Sequence, residues 1–161
     1  MKTLRFLNRQ RICVFDRRML GQITRGLLEE LSEGADYTLG AHFVRAKEMA
    51  ALNERFLGHE GETDVITFDY APEHEEMNGE IYICVDEALV QSRRFRVSWQ
   101  METVRYLVHG LLHMNGFDDS KPDLCRAMKR RENNLLKKLS RQFDLGKLGR
   151  IRKAVGAHER K

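Results

Sequence analysis

The segment His109-Gly110-Leu111-Leu112-His113-Met114-Asn115-Gly116-Phe117-Asp118-Asp119 gathers residue types that hold metal ions. His109 and His113 stand four apart, which on a helix puts both imidazoles on one face, one turn apart. Gly116 follows three residues later and lets the chain leave the helix. Asp119, six residues after His113, can return a carboxylate to complete a three-ligand site. This is the spacing of H-E-x-x-H-x-x-G-x-x-H zinc hydrolases, with Gly110 in place of the Glu and Asp119 in place of the third His. Asp118 is the alternative carboxylate, and spacing favours Asp119. Two histidines on an apolar helix can also be satisfied core residues. The glycine stop and the third ligand in register favour the metal.

Three protein ligands leave one coordination position open, and a zinc ion so held lowers the pKa of water to about 7. With a carboxylate among the ligands, that water is less acidic than with three neutral imidazoles. The set also admits harder ions such as Mn2+ or Fe2+ beside the expected single Zn2+. The Glu that serves peptidases of this spacing as general base is absent, and Gly110 cannot replace it. A zinc peptidase is therefore disfavoured. A two-His-one-carboxylate iron oxygenase is a further alternative, weakened by the adjacent helical ligands.

These residues need a frame. The helix carrying the histidines starts at Ser98, a good cap, and its apolar positions are Val104, Leu107, Val108, Leu111 and Leu112. Asp16 caps an earlier helix with an apolar face of Leu20, Ile23, Leu27 and Leu31. Residues 45–57 read as a helix stopped by Gly58, and Asp86 as the cap of another reaching Phe95. Ser120-Lys121-Pro122-Asp123 reads as a capping box for a last long helix through Leu124, Met128, Leu135 and Leu139. Residues 3–8, 36–44, 64–70 and 79–85 read as strands. The fold class expected is α+β, with about four strands in a mixed sheet and about five helices. The expected organisation is one compact domain of residues 1–144 and a basic, flexible tail of residues 145–161.

The chain has 161 residues, 28 basic and 24 acidic, for a net charge of +4. That small total hides a strong asymmetry. Residues 31–120 carry seven basic and seventeen acidic side chains, whereas residues 121–161 carry fourteen basic and four acidic. A basic end, here residues 121–161, suggests a polyanion partner. No apolar run approaches the roughly 20 residues of a membrane helix, and the N-terminus has no signal-peptide core. Cys13, Cys84 and Cys125 are odd in number and unpaired in spacing, as expected of a reducing cytoplasm.

At this level the chain resembles the YbeY family of endoribonucleases. The signature H-G-x-L-H-L-x-G-[YF]-D-H is followed from His109 to Asp119, with Met114 for Leu and Asp119 for the last His. Leu52-Asn53-x-x-Phe56, Thr63-Asp64-Val65-Ile66-Thr67-Phe68, Gly79-Glu80-Ile81-Tyr82-Ile83 and Met128-x-x-x-Glu132 resemble further family segments, in order, over residues 3–140. The resemblance implies a metal ion, usually zinc, and cleavage of single-stranded RNA. It also implies a part in small-subunit ribosomal RNA maturation and ribosome quality control, with RNA and the ribosome or its assembly proteins as partners. Leu57 stands where the resemblance implies an arginine in the active cleft. That motivates a second hypothesis, an RNA- or ribosome-binding assembly factor with weak or no catalysis.

Asp64 and Glu80 are candidates to orient a water or a metal ligand. Trp99, Phe117 and Tyr70 could stack on bases, although core packing suits each. His42, His59 and His74 lack ligand spacing. Gly146-Lys147-Leu148-Gly149 matches the short glycine clamp of KH domains, a coincidence outside that fold.

Overall fold

The computed structural model describes residues 1–58, 63–73 and 76–153. Strand β1 (Lys2–Asn8) leads through a short β2 (Cys13–Phe15) to helix α1 (Arg17–Ser32). Strand β3 (Tyr37–Val44) and helix α2 (Ala46–Leu52) follow, and α2 widens into a π turn over Asn53–Leu57. Strands β4 (Val65–Asp69) and β5 (Met77–Cys84) come next. Three helices then succeed one another: α3 (Val85–Phe95), α4 (Trp99–Met114) and α5 (Pro122–Gln142). A single 3-10 turn, Leu145–Lys147, precedes strand β6 (Gly149–Ile151).

The main sheet has the order β1-β3-β5-β4. Strands β1, β3 and β5 are parallel, and β4 runs antiparallel along the β5 edge. This is the α+β architecture expected from the sequence, with a four-stranded mixed sheet and five α-helices among the described residues. Strand β3 is central and covered on both faces, so it reads as a nearly unbroken apolar run rather than an alternating one. Leu39, Ala41 and Phe43 of β3 are fully buried or nearly so.

Helix α4 lies across the sheet and carries the site. Val104, Leu107, Val108, Leu111 and Leu112 are all buried, each such side chain contributing about 1.5–3 kcal/mol. Gly110 is what lets the helix settle so close. A Cβ there would stand 3.0 Å from Ile81 Cγ2 and 3.2 Å from Thr67 Oγ1. The position of the missing Glu thus faces the sheet, tight against β5 and β4. Helix α5 packs its own apolar face beside α4, burying Met128, Leu135, Leu136 and Leu139. Arg131 and Lys138 of α5 both reach Glu30 of α1.

The expected caps are partly borne out. Asp16 Oδ1 accepts from the Met19 amide at 3.1 Å, and Ser98 Oγ accepts from the Met101 amide at 3.1 Å. Asp86 differs. It lies inside the first turn of α3, and its Oδ2 accepts from the Ala46 amide at 2.6 Å, so it caps α2 across space. The capping box at Ser120 does not form either. Ser120 Oγ donates to Asp118 Oδ2 at 2.8 Å, and Lys121 is the residue before the first turn of α5.

The end of the chain also departs from expectation. Residues 145–151 are not a tail. Leu145 and Leu148 are buried, and β6 pairs antiparallel with β2, Cys13 opposite Ile151. Gln100 Nε2 donates to the carbonyls of Gly146 and Gly149 at 3.1 and 3.0 Å. This pins the segment that resembles a KH clamp to the start of α4. A three-residue strand has no period to read, and its partner lies at the other end of the sequence. The rest of the expected tail, from residue 154, lies outside the described residues.

Candidate metal centre

The last turn of α4 and the loop after it bring His109, His113 and Asp119 together. Gly116 has a φ of +95°, a conformation that costs an L side chain energy but glycine little. The reversal is closed by hydrogen bonds from the Gly116 amide to the His113 carbonyl and from the Phe117 amide to the Leu112 carbonyl. It directs the Phe117 carbonyl onto His113 and brings Asp119 back over the helix. Asp118 turns the other way, accepting from the Ser120 amide at 2.9 Å, so of the two carboxylates it is Asp119 that faces the histidines.

Three atoms define the centre. His109 Nε2 and His113 Nε2 are 3.1 Å apart. Asp119 Oδ2 is 3.7 Å from the first and 3.5 Å from the second. Ligands of one tetrahedral ion at bonds of about 2.1 Å stand about 3.4 Å from one another, so the triangle has the size of one face of such a site.

The proton positions argue in the same direction. His113 Nδ1 is 3.1 Å from the Phe117 carbonyl, which can only accept, so Nδ1 carries the proton. His109 Nδ1 faces Glu132 Oε1 at 3.5 Å, which fixes its proton likewise. In the neutral tautomers both Nε2 atoms then present lone pairs, and Asp119 presents a third. Three acceptors converging on one point are repulsive without a cation between them. The donor set of two imidazoles and a carboxylate suits a divalent metal ion.

Glu132, noted in the sequence only as part of the Met128-x-x-x-Glu132 segment and given no role there, backs His109. It lies on the buried face of α5, four residues after Met128 and only 6% exposed. A lone carboxylate in the phase of an apolar stripe was the available signal. Its other oxygen lies 3.6 Å from Arg105 Nη1, and Arg105 Nε lies 3.3 Å from Glu102, also buried. Arg105 donates further to Asn133 at 3.1 Å. The hydrogen bond to Glu132 raises the pKa of His109 above the usual histidine value, opposed by burial and aided by the charges of Asp64 and Asp119. Burial pushes the Glu102 carboxyl upward, with Arg105 opposing.

The two carboxylates singled out as orienting groups part company. Asp64 lines a cavity together with His109 and Glu132. Glu80 does not reach the centre. Its neighbour Ile81 touches the position of Gly110 on α4, so strand alternation turns Glu80 to the opposite face. There it meets His42 Nε2 at 2.8 Å and accepts from the Tyr70 hydroxyl. Among the aromatic candidates, Trp99 and Phe117 pack against the core, and Tyr70 is exposed but on the Glu80 face. His59 and His74 lie outside the described residues. Leu57 is 47% exposed at the end of the π turn.

Residues 6–140 match the family model described as Endoribonuclease YbeY. The chain belongs to the YbeY family. A YbeY of Chlorobaculum tepidum is 37% identical over 124 residues, covering 77% of this chain and 89% of the relative. One of Chlorobaculum parvum is 41% identical over 102 residues, covering 63% and 72%. Both bear the name Endoribonuclease YbeY. A solution structure of a Thermotoga maritima protein shares the fold, with a TM-score of 0.61 at 23% identity, covering 85% of this chain and 89% of that one. The match to YbeY spans α1 through α5 and so includes every residue of the candidate centre. Among the described residues no helix is long and apolar enough to cross a membrane.

Proposed function

We infer that the chain is a metal-dependent endoribonuclease acting in ribosomal RNA processing, specific for single strands and directed at small-subunit RNA. Ribosome quality control belongs to the same reading, as do a cytoplasmic location and the ribosome or its assembly proteins as partners. The observation that carries the reading is the convergence of His109 Nε2, His113 Nε2 and Asp119 Oδ2 in a YbeY chain. Zinc suits two imidazoles and one carboxylate, and Mn2+ or Fe2+ are the alternatives. When bound, such an ion acidifies water and polarises a phosphate.

The chain's own residues do the rest. Glu132 holds His109 in the ligating tautomer, and the Phe117 carbonyl does the same for His113. Asp64, on the wall beside His109, is the carboxylate we assign to orient the attacking water. RNA approaches along α5. Its solvent face exposes Arg126, Lys129, Arg130, Lys137 and Arg141. The basic segment 121–161 thus supplies phosphate contacts that weaken as salt rises. Its last residues, from 154, lie outside the described residues.

The test is cleavage of a single-stranded and a duplex RNA by the full-length protein, zinc-loaded and chelated, beside His113→Ala. Cleavage of the single strand that disappears on chelation and in His113→Ala supports the reading. Leu57 favours one second reading, an RNA-binding assembly factor without catalysis. It predicts RNA binding with no cleavage in any metal state.

A further inference from the structure

A cavity of about 610 Å3 opens beside His109, between α3, α4 and α5. The metal reading uses its inner wall and leaves the rest unexplained. Helix α3 faces it with three residues one turn apart in series: Glu87, Gln91 and Phe95. This spacing aligns them along one side of the helix, with about 6 Å between successive residues. Phe95 is 62% exposed at the cavity mouth, with the Arg94 guanidinium over one face of its ring, 5.7 Å from the centroid, and the rest of the ring in water. Gln91 Nε2 donates to Glu87 Oε1 at 2.7 Å, which fixes the carboxylate.

Charge decides what such a space accepts. Asp64, Glu87, Glu102 and Glu132 line it against Arg105 and Lys129. Arg105 is already engaged by Glu102 and Glu132. An excess of carboxylates repels a phosphate, so the cavity does not hold the backbone of a polyanion. It suits instead a neutral, flat group with hydrogen-bond donors on one edge. A nucleobase is such a group, and every base has a face that stacks on an aromatic ring. Guanine offers two adjacent donors, N1–H and the exocyclic amine, to a single carboxylate.

We propose that this cavity is a nucleobase subsite, which takes a base next to the cleaved phosphate, stacked on Phe95 with its donor edge against Glu87, and prefers guanine. The proposal rests on the ribonuclease reading for the origin of the base. The base lies on the His109 side of the metal centre, and the phosphate stays outside the acidic wall.

Binding of the four ribonucleosides to the full-length protein, followed by saturation-transfer NMR and calorimetry, tests it without relying on cleavage. Guanosine should bind tightest, and both Phe95→Ala and Glu87→Gln should weaken it, the first by roughly tenfold. Phe95 is exposed, so its loss spares the fold. Cleavage should fall selectively on strands with guanine beside the cut, through KM. If guanosine does not bind, binds no better than the other nucleosides, or binds Phe95→Ala as well as wild type, the subsite is wrong. Displacement of guanosine by spermidine at lower concentration would also overturn it, because the cavity would then be a cation site. Guanosine binding that depends on Phe95 in a protein that cleaves no RNA would uphold the subsite and sink the ribonuclease reading. Cleavage without base binding would do the reverse.

Discussion

His109 is held from behind by a residue of another helix: its Nδ1 lies 3.5 Å from Glu132 Oε1, and its Nε2 faces His113 and Asp119. This pairing sets the tautomer that a metal ligand needs. Replacing Glu132 by Gln keeps the shape and removes the charge that makes His109 a stronger donor. Metal affinity should fall by about 10-fold or more. Competition against a chromophoric chelator measures it. Unchanged affinity would make Glu132 merely a partner of Arg105.

The same contact predicts a pH dependence. His109 has a raised pKa because of the Glu132 hydrogen bond, which outweighs burial. In the metal-free chain the stabilisation from this group is present below the unfolded value, about 6.5, and is lost as pH rises through the folded one. The proton that His109 holds competes with the cation. Metal affinity should therefore decline on acidification from a pH above that of an ordinary histidine. In Glu132→Gln the decline should move to lower pH. Chelator competition across the histidine range reads both.

Gly110→Ala tests why the family's glycine stands there. The added Cβ would meet Ile81 Cγ2 at 3.0 Å and Cδ1 at 3.1 Å, and Ile81 is fully buried. Overpacking costs about 1–3 kcal/mol, and alanine in a helix returns about 1 kcal/mol over glycine. Packing wins, because Ile81 has nowhere to move. A net loss of about 1 kcal/mol should lower Tm by about 2–4 °C. A rise in Tm would show that the helix can lift off the sheet.

Truncation separates structure from charge at the C-terminus. Removing 145–161 deletes two buried leucines and β6, at about 1.5–3 kcal/mol for each leucine. Removing 153–161 takes away Lys153, Arg160 and Lys161 with Glu159 and spares both leucines. The shorter deletion should leave thermal stability and metal content unchanged and flatten the salt dependence of RNA binding. Equal loss of stability in both would place structural weight beyond residue 152.

Leu57→Arg addresses the departure at the π turn. The side chain is half exposed, so the substitution spares the core. Cleavage of single-stranded RNA should rise, with metal affinity unchanged. No gain would mean that this position does not reach the substrate.

The site was legible because its spacing is local. Two histidines at four apart, a glycine and a carboxylate encode a helix, its end and its return. What comes from the third dimension was not. Glu132 reaches His109 from a different helix, Asp86 caps α2 from the end of the neighbouring strand, and β6 finds β2 from the far end of the chain. Glu80 was misplaced for a subtler reason: on a strand, one residue's shift exchanges the metal side for the opposite face. The four main strands were readable from alternation and from segments rich in β-formers, but their order depends on contacts with no signature in the sequence.

His109, His113 and Asp119 together are expected to hold one metal ion. Elemental analysis of the purified full-length protein and of His113→Ala, each checked for folding by circular dichroism, tests it directly. One equivalent of a divalent transition metal, zinc first, is expected in wild type and almost none in His113→Ala. A folded wild-type protein that takes up no metal, or a variant that retains a full equivalent, would contradict it.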